Sequence, residues 1–296
     1  MIYICVLNYN NPSDTIGCLD SLLALSGHEF KILLVDNSSQ DNSHSVLEKY
    51  TQKHQEKIHF FSLKKNLGYA GGNNVAIRYA LQQSDMEYCW ILNNDTIVEP
   101  DAMSWLYQYM EKHHEVGLCG SKLIYEWDRN KLQGYGGIYS PLFGLSSTCC
   151  NLEEIDTINF VIGASVFVRK SFLEEIGLMC EDYFLYYEEI DWAMRSRKKF
   201  AIACEPRSVV YHKEGASIGA GAKKRGEKTA LCDYFYMRNR LLITWKFFPW
   251  CIPTVYLSSI GMMLNRFKRH QYSRIWMLLK LLFGIRDKKY ESKLLQ

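Results

Sequence analysis

Three separated clusters in this chain combine residue types and settings that chemistry requires. The first is Trp90-Ile91-Leu92-Asn93-Asn94-Asp95-Thr96, where an apolar run meets two amides and a carboxylate. A buried strand ending there puts Asn93, Asn94 and Asp95 at its carboxyl end, where open α/β sheets bind ligands. Asp95 is the expected holder of a divalent cation, Mg2+ or Mn2+, which in turn would hold the diphosphate of an activated sugar. The alternative is an Asn-Asn-Asp turn before a helix started by Glu99-Pro100-Asp101. The second cluster runs from Asp182 to Arg195 and carries Glu188, Glu189 and Asp191 among tyrosines and Trp192. Glu188 and Asp191 share a helix face, and Glu189 points elsewhere. Aromatic surroundings desolvate a carboxylate and raise its pKa, which suits a general base. Acids at a helix start also satisfy the helix dipole. Arg195, four positions beyond Asp191, would make that acid structural, so Glu189 is the expected base and Glu188 the second choice. The third cluster is Val209-Val210-Tyr211-His212, which makes His212 the candidate second metal ligand beside Asp95, although a lone histidine is usually not a ligand.

These groups need elements to hold them. Ile2 to Leu7 reads as a strand breaking at Asn8-Tyr9-Asn10-Asn11-Pro12, with Ser13 or Asp14 capping a helix that carries Ile16, Leu19, Leu22 and Leu23. Lys31 to Val35 is a second strand, ending in Asp36-Asn37-Ser38-Ser39, and a helix follows from about Ser43 to His54. Ile58 to Leu63 is a third strand. After it come Asn66-Leu67-Gly68-Tyr69-Ala70-Gly71-Gly72-Asn73-Asn74 and a helix through Ala76, Ile77 and Leu81. This alternation predicts an α/β fold, a parallel sheet between helices. Polar clusters recur at the same end of successive strands. They nominate Asn8, Asn10, Asp36, Ser38, Asn93, Asn94 and Asp95 as nucleotide and donor contacts, and the glycine-bearing stretch adds Asn66, Gly68, Gly72 and Asn73. Asp36 would accept a hydrogen bond from the ring N–H of uracil or thymine, or it caps its own turn. The glycines at 68, 71 and 72 let the backbone approach a ligand, or they form a plain turn into a helix. No G-x-G-x-x-G follows the first strand and no phosphate-loop lysine motif is present. A diphosphate would therefore be neutralised by a metal and side chains.

A helix is expected from Ala102 to His113. The Gly-, Ser- and Tyr-rich stretch from Tyr125 to Asn151 reads as loops and an irregular hairpin near the acceptor. Ile158 to Val168 reads as a strand interrupted by Gly163-Ala164-Ser165. Those small residues, with Trp192, would wall an acceptor and sugar pocket, or they mark only a bulge. Lys213 to Lys228, with Lys223-Lys224-Arg225, reads as a lid over phosphates or as a solvated loop.

At 296 residues with 23 % charged residues and net charge +3, the chain is an ordinary globular one, too weakly basic to argue for nucleic acid. Its ten cysteines form no C-x-x-C pair, and the first residues already look like a strand rather than a leader. Reduced thiols and a cytoplasmic location are expected. Past Asn239 the composition shifts. Lys246, Pro249 and Pro253 interrupt the apolar run from Leu241 to Leu264, so a spanning helix is not cleanly met. Beyond it, Arg266, Lys268, Arg269, Arg274 and Lys280 alternate with Ile275, Trp276, Leu278, Leu279, Leu281, Leu282 and Phe283. That pattern suits a helix on an anionic membrane surface; the alternatives are helices packed on the catalytic part or in a homodimer contact. The expected division is a catalytic domain at 1–238 and a membrane-associating helical segment at 239–296, peripheral on the inner face of the cell membrane.

Over about residues 1 to 240 the chain resembles glycosyltransferase family 2 enzymes of the GT-A fold, close to bacterial rhamnosyltransferase-type members. The resemblance rests on Val35-Asp36-Asn37-Ser38-Ser39 with Asp41, Asn66 to Asn73, Leu92-Asn93-Asn94-Asp95-Thr96, Gly163-Ala164-Ser165, Glu188-Glu189-Ile190-Asp191-Trp192 with Arg195, and Tyr211-His212. It implies inverting transfer from a nucleotide-diphosphate sugar such as dTDP-rhamnose or a UDP-sugar. The acceptor would be a hydroxyl of a glycan precursor, lipid-linked where the tail meets a membrane. It also implies Asp36 on the base, Asp95 in the metal motif, His212 near the metal, and a carboxylate of the acidic pair as base. Two departures stand out: Asn93 replaces the first acid of the usual Asp-x-Asp, and Glu188-Glu189 replaces the frequent Glu-Asp. The first keeps a silent nucleotide-sugar binder open as an alternative. A sugar nucleotidyltransferase would need a basic, Gly-rich loop after the first strand, which Asn8 to Pro12 does not supply.

Overall fold

The computed structural model describes residues 1–213 and 229–295. The expected lid at 213–228 lies, beyond Lys213, outside the described residues. Alternating side chains build the sheet's two faces. In β1 (Ile2–Asn8), Ile2, Ile4 and Val6 enter one core, and Tyr3 and Cys5 enter the other. Then come α1 (Pro12–Leu23), β2 (Phe30–Asp36), α2 (Ser43–Gln52), β3 (Ile58–Ser62), α3 (Gly68–Leu81) and β4 (Tyr88–Asn93). The short β5 (Thr96–Val98) and α4 (Ala102–Lys112) lead into the ten-residue β6 (Val116–Tyr125). Next are β7 (Leu132–Gly134), β8 (Gly136–Ser140), β9 (Leu145–Cys149), β10 (Ser165–Arg169), α5 (Lys170–Ile176), α6 (Glu188–Ser196) and β11 (Ala201–His212). The described chain closes with α7 (Ala230–Phe247), α8 (Ile252–Lys268), α9 (Tyr272–Leu282) and α10 (Lys288–Leu295).

The main sheet runs β3-β2-β1-β4-β10-β6-β11-β5, with β7 paired to β6, and β8 and β9 form a separate hairpin. Strands β1 to β4 are parallel, as the alternation predicts. β10 is antiparallel to both β4 and β6, so the sheet is mixed. That reversal has a use: a strand running against β4 begins where β4 ends, so residues just before β10 arrive at the rim carrying Asn93. One core lies under α1, α2 and α4 and another under α3, α5 and α6. A third joins Tyr139, Phe160 and Tyr183 to Ile190 with α7, α8 and α9.

Four local expectations change. Asn11, not Ser13 or Asp14, caps α1, its side chain accepting from the Asp14 N–H. The glycine-rich stretch is not a loop but the first turns of α3. The strand expected from Ile158 starts only at Ser165. The acidic stretch from Asp182 is helical only from Glu188. α7 runs unbroken through residues 238 and 239, and Arg238, Asn239 and Arg240 in it are buried.

Candidate active site

Strand register brings the polar ends together. Asn8 stands opposite Asp36, and Leu7 opposite Asn93. β5 begins one residue after Asp95 and pairs with β11 so that His212 faces Thr96. Residues far apart in sequence thereby become neighbours: His212 Nε2 lies 3.3 Å from Asp95 Oδ1, both side chains buried. Asn93 Nδ2 is 3.4 Å from the same Nε2. On the other side of the ring, His212 Nδ1 is 3.0 Å from Gln133 Oε1. An amide oxygen there favours the proton on Nδ1, which leaves the Nε2 lone pair toward a carboxylate. A proton or a metal ion can join two such groups, and imidazole with carboxylate is a donor set Mn2+ accepts. The residues present thus fit a divalent metal. Sequence reasoning missed Gln133, since nothing around it in the chain signals a ligand's partner.

The acidic pair opens α6. Burial holds the Glu188 carboxyl well above its usual range, and the neighbouring Glu189 charge pushes the same way. Burial pushes Glu189 up to about 7, partly offset by the backbone N–H groups of Glu189 and Gly163. One oxygen of each, Glu188 Oε2 and Glu189 Oε2, is buried without a hydrogen-bond partner. Such orphaned acceptors are uncommon in folded proteins and mark strained or catalytic groups. Asp191 differs in kind: fully buried, it accepts from Arg195 at 2.6 Å, Lys246 at 2.5 Å and Tyr183 Oη at 3.0 Å. Those bonds make it an anchor of α6, the structural role its spacing from Arg195 suggested.

Tyr69 links the two halves. Its hydroxyl donates to Gly163 O at 2.5 Å. Its phenol is raised well above the usual range, first by burial, then by the charges of Glu188 and Glu189, with Cys5 and Asp95 adding to them. A Cβ on Gly163 would lie 3.5 Å from Glu189 Oε1, and the next residue's carbonyl, Ala164 O, accepts from Asn93 N at 3.2 Å. One rim therefore carries the Asp95–His212 pair, Gly163 and the glutamates.

Several other expected contacts are occupied within the protein. Asn8 Nδ2 donates to Asp36 Oδ1 at 2.8 Å and Ser39 Oγ at 3.0 Å, while its Oδ1 accepts from Thr15 at 2.8 Å. Asp36 also accepts from Ser39 Oγ at 2.5 Å, so it does cap its own turn. Asn94 donates to Thr15 Oγ1 at 2.8 Å. Asn66 Oδ1 accepts from Asn37 and from Gly68 N–H. Asn10 and Ser38 adopt positive φ in the loops beside this knot. Asn73 keeps a buried, unpartnered Oδ1. Gly68 and Gly72 owe their lack of a side chain to protein neighbours, Phe184 and Leu7, rather than to a ligand. The pocket expected from Ala164, Ser165 and Trp192 is corrected. Ala164 is in the core, Ser165 accepts from Trp90 Nε1 at 3.0 Å, and the wholly buried Trp192 packs edge-on to Phe172 and donates to Gly177 O. Of that set only Gly163 reaches the site.

A mixed sheet between helices, with a metal-compatible pair on its carboxyl rim and helices after the last strand, defines a GT-A-type transferase scaffold. The chain belongs to glycosyltransferase family 2: the profile described as "Glycosyl transferase family 2" matches residues 3–177, more than half of its length. It is 23% identical over 292 residues to the low-salt glycan biosynthesis hexosyltransferase Agl10 of Haloferax volcanii, spanning 97% of this chain and 86% of that one. It is 26% identical over 236 residues to the poly-beta-1,6-N-acetyl-D-glucosamine synthase of Staphylococcus epidermidis, covering 77% of this chain but only 55% of that enzyme. Among solved structures it is similar to S. aureus TarS in complex with UDP-GlcNAc, with TM-score 0.59, 17% identity and coverage of 99% and 83%. It is also similar to the mannosyltransferase PcManGT of Pyrobaculum calidifontis in complex with GDP-Man and Mn2+, with TM-score 0.58, 13% identity and coverage of 97% and 88%. At these identities the likeness to solved structures concerns the fold.

Proposed function

We propose that this chain transfers a hexose, with inversion, from a nucleotide-diphosphate sugar such as dTDP-rhamnose or a UDP-sugar to a hydroxyl of a cell-surface glycan precursor. The observation that carries the reading is the meeting of Asp95 and His212 at 3.3 Å on the rim that also holds Gly163 and the glutamates. Asp95 and His212 would hold Mg2+ or Mn2+. Among the described residues no group of three or more His, Cys, Asp or Glu could hold a metal ion, so the protein would offer the ion this pair alone. When bound, the ion neutralises charge on the departing nucleotide diphosphate. Glu189 takes the proton of the acceptor hydroxyl as that oxygen attacks the anomeric carbon from the face opposite the diphosphate. The backbone N–H groups of Gly163 and Glu189 itself support the carboxylate form of Glu189, and burial keeps it basic. Asp36 and the Asn8 knot shape the base pocket, and Asp36 Oδ2, which holds the Ser39 N–H only at 3.4 Å, is the oxygen that would accept from the base.

Glu189→Gln should lower turnover by about 10²–10⁴-fold, the usual worth of general-base help, while nucleotide-diphosphate binding persists. Unchanged turnover would sink the base assignment. Asn93, standing where family members often have an acid, favours a second reading: a binder of nucleotide sugars without transfer. Release of nucleotide diphosphate by the native chain separates the two.

The segment after residue 238 carries a membrane face in this reading. No described helix is long and apolar enough to cross a membrane. Leu257, Ile260, Leu264, Phe267, Trp276 and Phe283 are exposed on α8, α9 and the turn after α9. A groove of about 450 Å3 lined by Tyr256, Leu257, Ile260, Leu279, Leu282 and Phe283 runs between them. Residues 250–292 hold eight Lys and Arg against two acids. That excess suits the inner, anionic face of a cell membrane and opposes a homodimer that would press the same face on itself. A lipid-linked acceptor fits the location.

A further inference from the structure

The acidic pair is presented by an unusual piece of backbone. Between the one-turn helix at Glu181–Tyr183 and α6, Phe184, Tyr186 and Tyr187 take φ of 62°, 71° and 75°. Bulky residues avoid this left-handed region, and a run of them persists only where the surroundings over-determine it. What determines it here is α7. Asn239, fully buried, donates through Nδ2 to Tyr183 O at 2.8 Å, Leu185 O at 2.7 Å and Tyr186 O at 3.0 Å. Its Oδ1 accepts from Arg238 Nη1 at 2.7 Å, which fixes the amide with its N–H groups toward the turn. The same Arg238 nitrogen donates to Asp182 O at 2.7 Å, and Arg238 Nε bonds Glu291 on α10 at 3.1 Å. From the opposite side Tyr69 N–H donates to Phe184 O at 2.7 Å. The turn is thus gripped between the start of α3 and the middle of α7.

We propose that Asn239 is a positioning residue for the Glu188–Glu189 pair: its amide sets the strained turn that aims both carboxyl groups at the rim. The claim rests on Glu189 being the base. It predicts a separation a general stabilising role would not give. Asn239→Asp keeps the size but sets oxygen against three carbonyl oxygens. Turnover should fall by about 10²-fold, the scale of a roughly 1 Å misplacement. KM for the donor, and UDP affinity by calorimetry with Mn2+, should stay within about threefold. Turnover is read as nucleotide-diphosphate release from a panel of UDP- and dTDP-sugars. Should that variant not fold, Arg238→Met, which frees the amide to rotate, decides by the same two readouts with a smaller loss. Retained turnover overturns the proposal, and so does a fall in turnover matched by an equal loss of UDP affinity. Glu189→Gln runs alongside. If it retains turnover, the base assignment fails and Asn239's role with it. If it loses turnover while the Asn239 variant does not, only the positioning role fails.

Discussion

Two carboxyl groups forced together out of water hold a proton longer than either would alone. At the scale of single residues this makes the Glu188–Glu189 pair both a tool and a liability. With Glu189 near 7, kcat/KM should rise with pH through about 7, and that limb should vanish in Glu189→Gln. The stability effect has the opposite sense. The folded chain binds more protons than the unfolded one from the ordinary carboxyl value, 4.5, up to the raised one, so stability drops as pH rises across that window. Glu188→Gln should therefore raise Tm at pH 8 and leave it nearly unchanged at pH 4.5; a loss of Tm at pH 8 would contradict the burial argument. Gln133 gives a second test. As the partner of His212, the ligand in the proposed metal pair, its replacement by Met should weaken Mn2+-dependent UDP binding by about 10–100-fold, measured calorimetrically with and without Mn2+. The acids and the histidine were legible in the chain because each ends or starts an apolar run. Gln133 was not, because its role comes from β7 lying beside β6, a pairing that local composition does not encode.

At the scale of elements, periodicity served the strands and failed the turns. Apolar runs marked β1 to β4 because burial on both faces demands them. β10 reads the same whether parallel or antiparallel, so the mostly parallel sheet was legible but not which strand runs the other way. The α3 start was misjudged for a related reason: glycines signal loops, yet here Gly68 begins a helix at φ 72° with Phe184 against the place a Cβ would take. Gly68→Ala should cost about 1–2 kcal/mol for the left-handed backbone alone, more once Phe184 moves, read by urea denaturation. A neutral effect would mean the α3 start and the acidic turn are not in close contact. Trp192 shows the converse error: an aromatic beside two buried acids reads as a pocket wall, but helical geometry turns it into the core.

At the scale of the molecule, the tail is two things at once. Its inner side belongs to the third core, and its outer side is apolar with a basic surround. Composition exposed the outer side and hid the inner one, since Arg238, Asn239 and Arg240 look like a polar boundary in one dimension. Trp276→Asp with Phe283→Asp should abolish flotation with phosphatidylglycerol vesicles and leave Tm within a few degrees, because both side chains are exposed, Phe283 by 79 %. Flotation that survives would assign the face to another partner.

The unbroken course of α7 has a practical corollary for anyone recombining relatives. Tails cannot be exchanged at residue 239 as interchangeable modules, since the graft would sever the grip on the loop ahead of the glutamates. A junction placed after Phe248 would keep Asn239, Arg238 and the turn they hold in one parent, while the Arg238–Glu291 pair would then bridge two parents and require a matching acid in the donor tail.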